Sequence, residues 1–407
     1  MTGNNTDDNF TQMQLNRNVR IFQMTGIDIT VLIVPVLVLL WVNADLTFDE
    51  IIMLQGIFML AIFLFEVPSG SLADYWSRKG STALFHLIFG AGIFFYAIGN
   101  SFEMFAIAEF LAGVGLTFKT GSDNALVYDS LLTRNDNPNG QYGRIMSNRM
   151  TLMFVSAAVG ALAGGILAES AILRLPIYIT FVGHILFACL TYFGYVEPPR
   201  LQPKSPKAAI KTAFNSLLRK RELQLILIIL ISAMVFTTIG FWASQHLLIE
   251  KFSVSPFGMG LFISILNICA AVSSFAVRSK ITRLANFQVL FAILIMDGIY
   301  LLALIPAASV VGILVVSIIG QITRGSRTPL TQSLMQDNLA SDERATFNSL
   351  ISLLGALMYF MLSGFIDLLN LTREQSLEVG LLGISLLVII FSLLAISKFS
   401  TKSRIQI

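Results

Sequence analysis

Charge is what this sequence has least of. Only 13% of its 407 residues are Asp, Glu, Lys or Arg, against about 25% in a soluble domain. The length alone would suggest two or three soluble domains of about 150 residues each, but so few charges cannot cover that much soluble surface. A formal net charge of +3, with no basic residues gathered on one polar domain, argues against nucleic acid as a partner. Cysteine is almost absent. Cys189 and Cys269 both lie inside apolar runs, which argues against a disulfide framework and against any cysteine-based metal or redox site. The three histidines, His86, His184 and His246, are far apart with no ligand spacing, so neither a metal nor a cofactor is expected. No Gly-x4-Gly-Lys-Ser/Thr phosphate loop, selectivity-filter Gly-Tyr-Gly or nucleophile–base constellation is present, so neither a nucleotide-driven motor nor an enzyme is expected. Residues 1–18 are polar and acid-rich, without the short apolar core of a cleaved signal peptide. What is there is apolar: 55% hydrophobic residues, 32 of them Phe, and a mean hydropathy of +0.76. This describes a polytopic membrane protein.

A helix needs about 20 apolar residues to cross the hydrocarbon core. That length predicts spans near 19–42, 49–73, 81–99, 104–132, 143–168 and 174–196, then near 222–249, 257–280, 284–306, 309–337, 345–369 and 376–398. Polar residues interrupt 104–132 and 309–337. The fold class expected is therefore an all-α membrane protein of twelve helices in two six-helix bundles, 19–196 and 222–398. A tail, 1–18, a central loop, 197–221, and a second tail, 399–407, complete the chain. Of the 27 basic residues, only Arg174, Lys251 and Arg373 face one side and three more lie inside spans. The rest, among them Arg149, fall on the other side, so both termini and the central loop are expected to be cytoplasmic. The central loop carries Pro198, Pro199, Pro203 and Pro206, then Ile210, Phe214, Leu217 and Leu218 on one helical face with Lys207, Lys211, Arg219 and Lys220 as polar partners. It reads either as a basic amphipathic helix on the inner membrane surface or as a solvated linker. Gly121-Ser122-Asp123-Asn124-Ala125-Leu126 is echoed 204 residues later by Gly325-Ser326-Arg327-Thr328-Pro329-Leu330, as expected of duplicated halves.

The loop Gly70-Ser71-Leu72-Ala73-Asp74-Tyr75-Trp76-Ser77-Arg78-Lys79 resembles the signature loop of the major facilitator superfamily, with Gly70, Asp74, Arg78 and Lys79 in register and Tyr75 and Ser77 as departures. Physically, Gly70 would let two helices approach, Asp74 would sit at a helix N-terminus, and Arg78 would bridge to an acid, with Asp129 the candidate. With Arg344, these residues would form a cytoplasmic gate. Ser156-x3-Gly160-Ala161-x2-Gly164-Gly165 is similar to the family's antiporter motif, and its small residues offer a face for close helix packing. Ala125-Leu126-x-Tyr128-Asp129-Ser130-Leu131, Glu66-Val67-Pro68-Ser69-Gly70 and Arg344-Ala345-Thr346 resemble the drug–proton antiporter branch that includes macrolide-efflux-like proteins. Glu109 stands before Gly113-Val114-Gly115 where the family commonly has an Arg, so that residue's proton-relay role does not carry over.

Ionisable residues inside spans are expensive and functional by default. Asp28, Glu66, Glu109 and Asp123 are the proton-coupling candidates; Lys119, Asp297, Arg324 and Arg327 are candidates to line a substrate cavity. Asp28 and Pro35 are seven apart and would share a helix face; Lys119 and Asp123 are four apart and could pair on one helix. The resemblance implies gradient-driven transport by alternating access at the plasma membrane. The leading expectation is proton-coupled antiport that exports amphipathic or cationic small molecules. The alternatives are a symporter importing an organic anion or other nutrient, and a non-transporting receptor. The expected partners are a small-molecule substrate, protons and the lipid bilayer, with the chain a monomer.

Overall fold

The computed structural model describes residues 10–119, 122–133, 138–170, 172–199, 220–278, 280, 286–338, 341–368 and 383. The central loop from 200 to 219 and the span expected at 376–398 lie outside them. Among the described residues the chain is helical and contains no strand. Long apolar segments leave the backbone no partner but itself in lipid, and the α-helix satisfies every N–H and C=O internally. Nine helical segments among the described residues are long and apolar enough to cross a membrane. Within the span expected at 104–132, helix is described over Phe102–Lys119 and Ser122–Leu132, the first segment carrying Glu103, Glu109 and Lys119. The apolar stretch of the last described helix is the shorter Leu350–Ile366.

Contacts divide the chain into two units, Met1–Val36 with Ile57–Lys204, and Leu37–Gly56 with Ser205–Ile407. The first unit opens with α1 (Gln12–Met24), earlier than the apolar run alone predicts. Thr11 and Gln14 close a capping box at its start. Phe10, Leu15, Ile21 and Phe22 are buried against Leu126, Leu131 and Tyr195. Asn18 is fully buried and donates to Ser130 Oγ at 3.0 Å and to the Val196 carbonyl at 2.8 Å.

The first span is not one helix. It breaks after Met24, passes through a 3-10 turn (Ile29–Leu32) and resumes as α2 (Val34–Asn43). Asp28 N-caps the turn, its carboxylate accepting from Thr30 N–H at 3.1 Å. A side chain that satisfies local backbone donors competes with the helix ladder, and Pro35 has no N–H to contribute to it. The expected i, i+7 relation between Asp28 and Pro35 is therefore corrected: no continuous helix joins them.

Helices α3 (Phe48–Tyr75), whose residues up to Gly56 belong to the second unit, α4 (Arg78–Ile98), α5 (Phe102–Lys119), α6 (Ser122–Leu132), α7 (Pro138–Ser170) and α8 (Leu175–Gly194) follow. Helix α4 packs on α5 and α8. A Cβ on Gly92 would lie 2.6 Å from the Ala108 carbonyl, and one on Gly115 would lie 2.8 Å from Phe89 N, so these helices meet backbone to backbone. Helix α7 lays Gly160 against Val31 and Gly164 against the Leu32 backbone. Gly165 is buried on the same helix. The small-residue face expected to receive a helix thus receives the 3-10 turn. Gly164→Ala is expected to lower stability by about 1–3 kcal/mol through overpacking. Gly143→Ala, on the same helix with nothing within 4 Å of the added methyl, should leave it unchanged or raised by up to about 1 kcal/mol. Thermal unfolding of the two variants in detergent separates these outcomes.

The second unit contains α9 (Arg221–Phe252), α10 (Pro256–Arg278), α11 (Phe287–Leu304), α12 (Val310–Asn338) and α13 (Ser341–Leu368). Helix α12 packs on α9, α10 and α11. Tyr300 of α11 is wedged against Gly240 of α9 and Gly320 of α12, and Gly325 lets α12 meet the Ala270 backbone of α10. In the same unit Trp41 lies 5.2 Å from Trp242, and Phe48 lies 5.4 Å from the buried His246.

Candidate functional site

Among the described residues, each unit holds one deeply buried ion pair between an aspartate and an arginine. In the first, Arg149 of α7 donates from Nη2 to Asp123 Oδ2 of α6 at 2.6 Å and from Nη1 to the Phe22 carbonyl at 3.1 Å. Its guanidinium sits 3.8 Å over the Phe22 ring. The pairing of Asp123 with Lys119, expected from their spacing, does not occur. The Lys119 ammonium lies 4.9 Å over the Phe85 ring instead. Arg149, read from the sequence as one more cytoplasmic cation, is a buried partner inside the helices.

In the second unit, Arg327 of α12 donates to Asp297 Oδ2 of α11 at 3.0 Å and to Thr237 Oγ1 of α9 at 3.4 Å, and Thr323 donates to Asp297 Oδ1. Asp297 is 0% exposed, so the protein itself holds both of its oxygens. Asp123 and Arg327 occupy matching positions of the 204-residue repeat, so the two units carry the same device with the signs exchanged. Arg324, one turn away, is exposed and bonds Gln321 Oε1 at 3.0 Å.

Asp28 stands apart from both pairs. It is partly buried, its carboxylate accepts from Thr30 N–H and Thr30 Oγ1, and its own N–H donates to Ser156 Oγ of α7 at 3.1 Å. No described cation forms an ion pair with it. The small-residue face of α7 therefore seats the turn that carries this carboxylate. Glu109 is buried, and Tyr96 donates to its Oε1 at 2.5 Å. Glu66 is partly buried, one turn before Ser69, which donates to the Glu66 and Thr117 carbonyls.

At the opposite end of α4, Arg78 pairs with Asp129 of α6. Glu197, unremarked in the sequence because it falls at the start of the central loop, accepts from Ser77 Oγ at 2.7 Å and Lys79 N–H at 2.9 Å. It places a carboxylate at the N-terminus of α4, where negative charge is favoured. The Lys79 ammonium lies 5.5 Å over Tyr192. The side chains of Asp74 and Arg344 lie outside the described residues. Among the described residues a Cβ on Gly70 would meet nothing within 4 Å.

Membrane-length helices, two buried ion pairs and a carboxylate without a cation define a multi-pass membrane protein of transporter architecture. The sequence matches the Major Facilitator Superfamily over residues 21–363, and the chain belongs to that superfamily. A relative, an uncharacterised MFS-type transporter of Methanocaldococcus jannaschii, is 24% identical over 278 residues, 67% of this chain and 69% of the relative. Three solved structures are similar in fold. A mutant of nucleoside transporter NupG has a TM-score of 0.75 at 12% identity, covering 95% of this chain and 100% of that one. A bacterial homologue of the human lysosomal transporter Spinster, inward-facing and occupied, has 0.71 at 16%, covering 97% of both. A POT family transporter bound to a thioalcohol-conjugated peptide has 0.67 at 13%, covering 96% and 95%. Family and fold together support a secondary transporter.

Proposed function

We propose that this transporter is a proton-coupled antiporter, of the drug–proton kind, that exports amphipathic or cationic small molecules across the plasma membrane by alternating access, with both termini cytoplasmic. One observation carries the reading. Among the described residues, Asp123 and Asp297 are neutralised by arginines, whereas Asp28 is held by neutral donors. A carboxylate locked in an ion pair has no reason to exchange its proton during a cycle. One held only by hydroxyl and amide groups gains or loses a proton as its access to water changes. The Ser156, Gly160 and Gly164 face holds the turn that carries that carboxylate against α7, so a shift of α7 would move the turn directly. The Arg78–Asp129 pair and the Glu197 cap form the cytoplasmic latch in this reading.

The accessible Arg324 favours a second reading, a symporter importing an organic anion. A screen of compounds in proteoliposomes, detected by internal pH, tests both. Extrusion of amphipathic cations against an inward proton flux supports the antiporter. Co-entry of protons with organic anions would replace it with the symporter, and no flux across a broad panel would favour a receptor.

A further inference from the structure

His86 of α4 and His184 of α8 are 98 residues apart in the chain, yet their Nδ1 atoms lie 3.2 Å apart. They are 4% and 1% exposed. Phe89 stacks on His184 at 4.9 Å, Phe85 touches both imidazoles, and Phe187 lies 5.3 Å from His86. At this separation one Nδ1 must donate and the other accept. Two N–H groups would repel, and two lone pairs would leave the contact unbonded. The ring that donates then has a bare Nε2. That nitrogen can take one more proton while the Nδ1–H···Nδ1 bond persists, now with an imidazolium as donor. A further proton would set N–H against N–H and break the contact. Among the described residues His184 Nε2 is buried without a hydrogen-bond partner, and no third His, Cys or carboxylate completes a metal set.

Charges reach the pair from several elements. Lys119 of α5 lies over Phe85. The turn that carries Asp28 packs on α8 beside His184, with Ile29 against Gly183 and Thr180 Oγ1 donating to the Ile29 carbonyl at 3.3 Å. Asp28 acts electrostatically on His184, and Arg149 of α7, paired with Asp123 of α6, acts on His86.

We propose that His86 and His184 form one proton-binding site that takes up a single proton as a pair. Its part in transport rests on the proton-coupled reading of Asp28; its existence does not. Full-length protein labelled with 15N-histidine and titrated in micelles between about pH 4 and 9 tests it. The two rings are expected to titrate together, with one proton taken up and a shared Nδ1–H signal. His86→Gln should shift the His184 midpoint and leave unchanged that of His246, which pairs with Glu250 in the other unit. Independent titration, or no change of charge in either ring, would overturn the site. In proteoliposomes with ethidium as probe, His184→Gln should keep ethidium exchange but lose the pH dependence of proton-driven efflux. A wild-type pH profile in that variant overturns the role in transport. Absence of coupled proton flux in the wild type rejects the antiport reading, and the titration still decides the site.

Discussion

Replacing Arg327 by methionine should lower the stability of the protein by about 3–5 kcal/mol, the loss incurred when a buried ion pair is broken from one side. The reason is the surroundings of Asp297. Its side chain is 0% exposed, Arg327 supplies its only described charged contact, and Thr323 supplies a neutral hydrogen bond. Without the guanidinium the carboxylate is left unpaired in a low-dielectric site, where it must either hold an uncompensated charge or take up a proton. The double variant Asp297→Asn, Arg327→Met removes the charge altogether and keeps an oxygen for Thr323 to donate to. It should recover most of the loss. Denaturant unfolding of the single and double variants in detergent measures both. A double variant no more stable than Arg327→Met would show that lost packing, not the orphaned charge, is responsible. Arg149→Met should behave similarly in the first unit, with Asp123 left unpaired.

Asp28→Asn is expected to abolish concentrative transport while leaving exchange intact. Asparagine keeps the side-chain oxygen that accepts from Thr30, so the 3-10 turn retains its cap but loses the group that carries a proton. Exchange of one proton for one monovalent cation moves no net charge, so a gradient of one pH unit, worth about 1.4 kcal/mol, supports a concentration ratio of about ten. That ratio should fall to about one in the variant, because nothing then ties substrate movement to the proton gradient. Measuring ethidium accumulation against equilibrium exchange in the same proteoliposomes separates coupling from binding. Substrate-driven proton flux at the wild-type level in Asp28→Asn would remove this residue from the mechanism.

Much of the architecture was legible because bilayer insertion is a nearly one-dimensional constraint. A run of apolar residues long enough to span must be helical wherever it lies, so hydropathy locates the helices without knowledge of their neighbours. The broken first span was harder to read. Its signals, Gly26, Asp28, Thr30 and Pro35, are ordinary polar or helix-breaking residues inside a strongly apolar window. Partner choice was not legible. Spacing along one helix put Lys119 with Asp123, but the observed partner, Arg149, comes from another helix. Arg149 stands near the start of an apolar run, where the positive-inside pattern accounts for it equally well. Glu197 looked like loop, and the two histidines looked unrelated across 98 residues.

By itself, then, the sequence determined that this is a helical membrane transporter, which scarce charges belong inside it, and which loop and glycine motifs mark its superfamily. Only the tertiary structure decided what each inner charge does. Asp123 and Asp297 are spent on arginines, Asp28 is held by neutral donors on a turn, and His86 meets His184. The physical reason is that a charge in a low-dielectric interior takes its character from the nearest groups in space, and those are supplied by other helices whose packing no local pattern encodes.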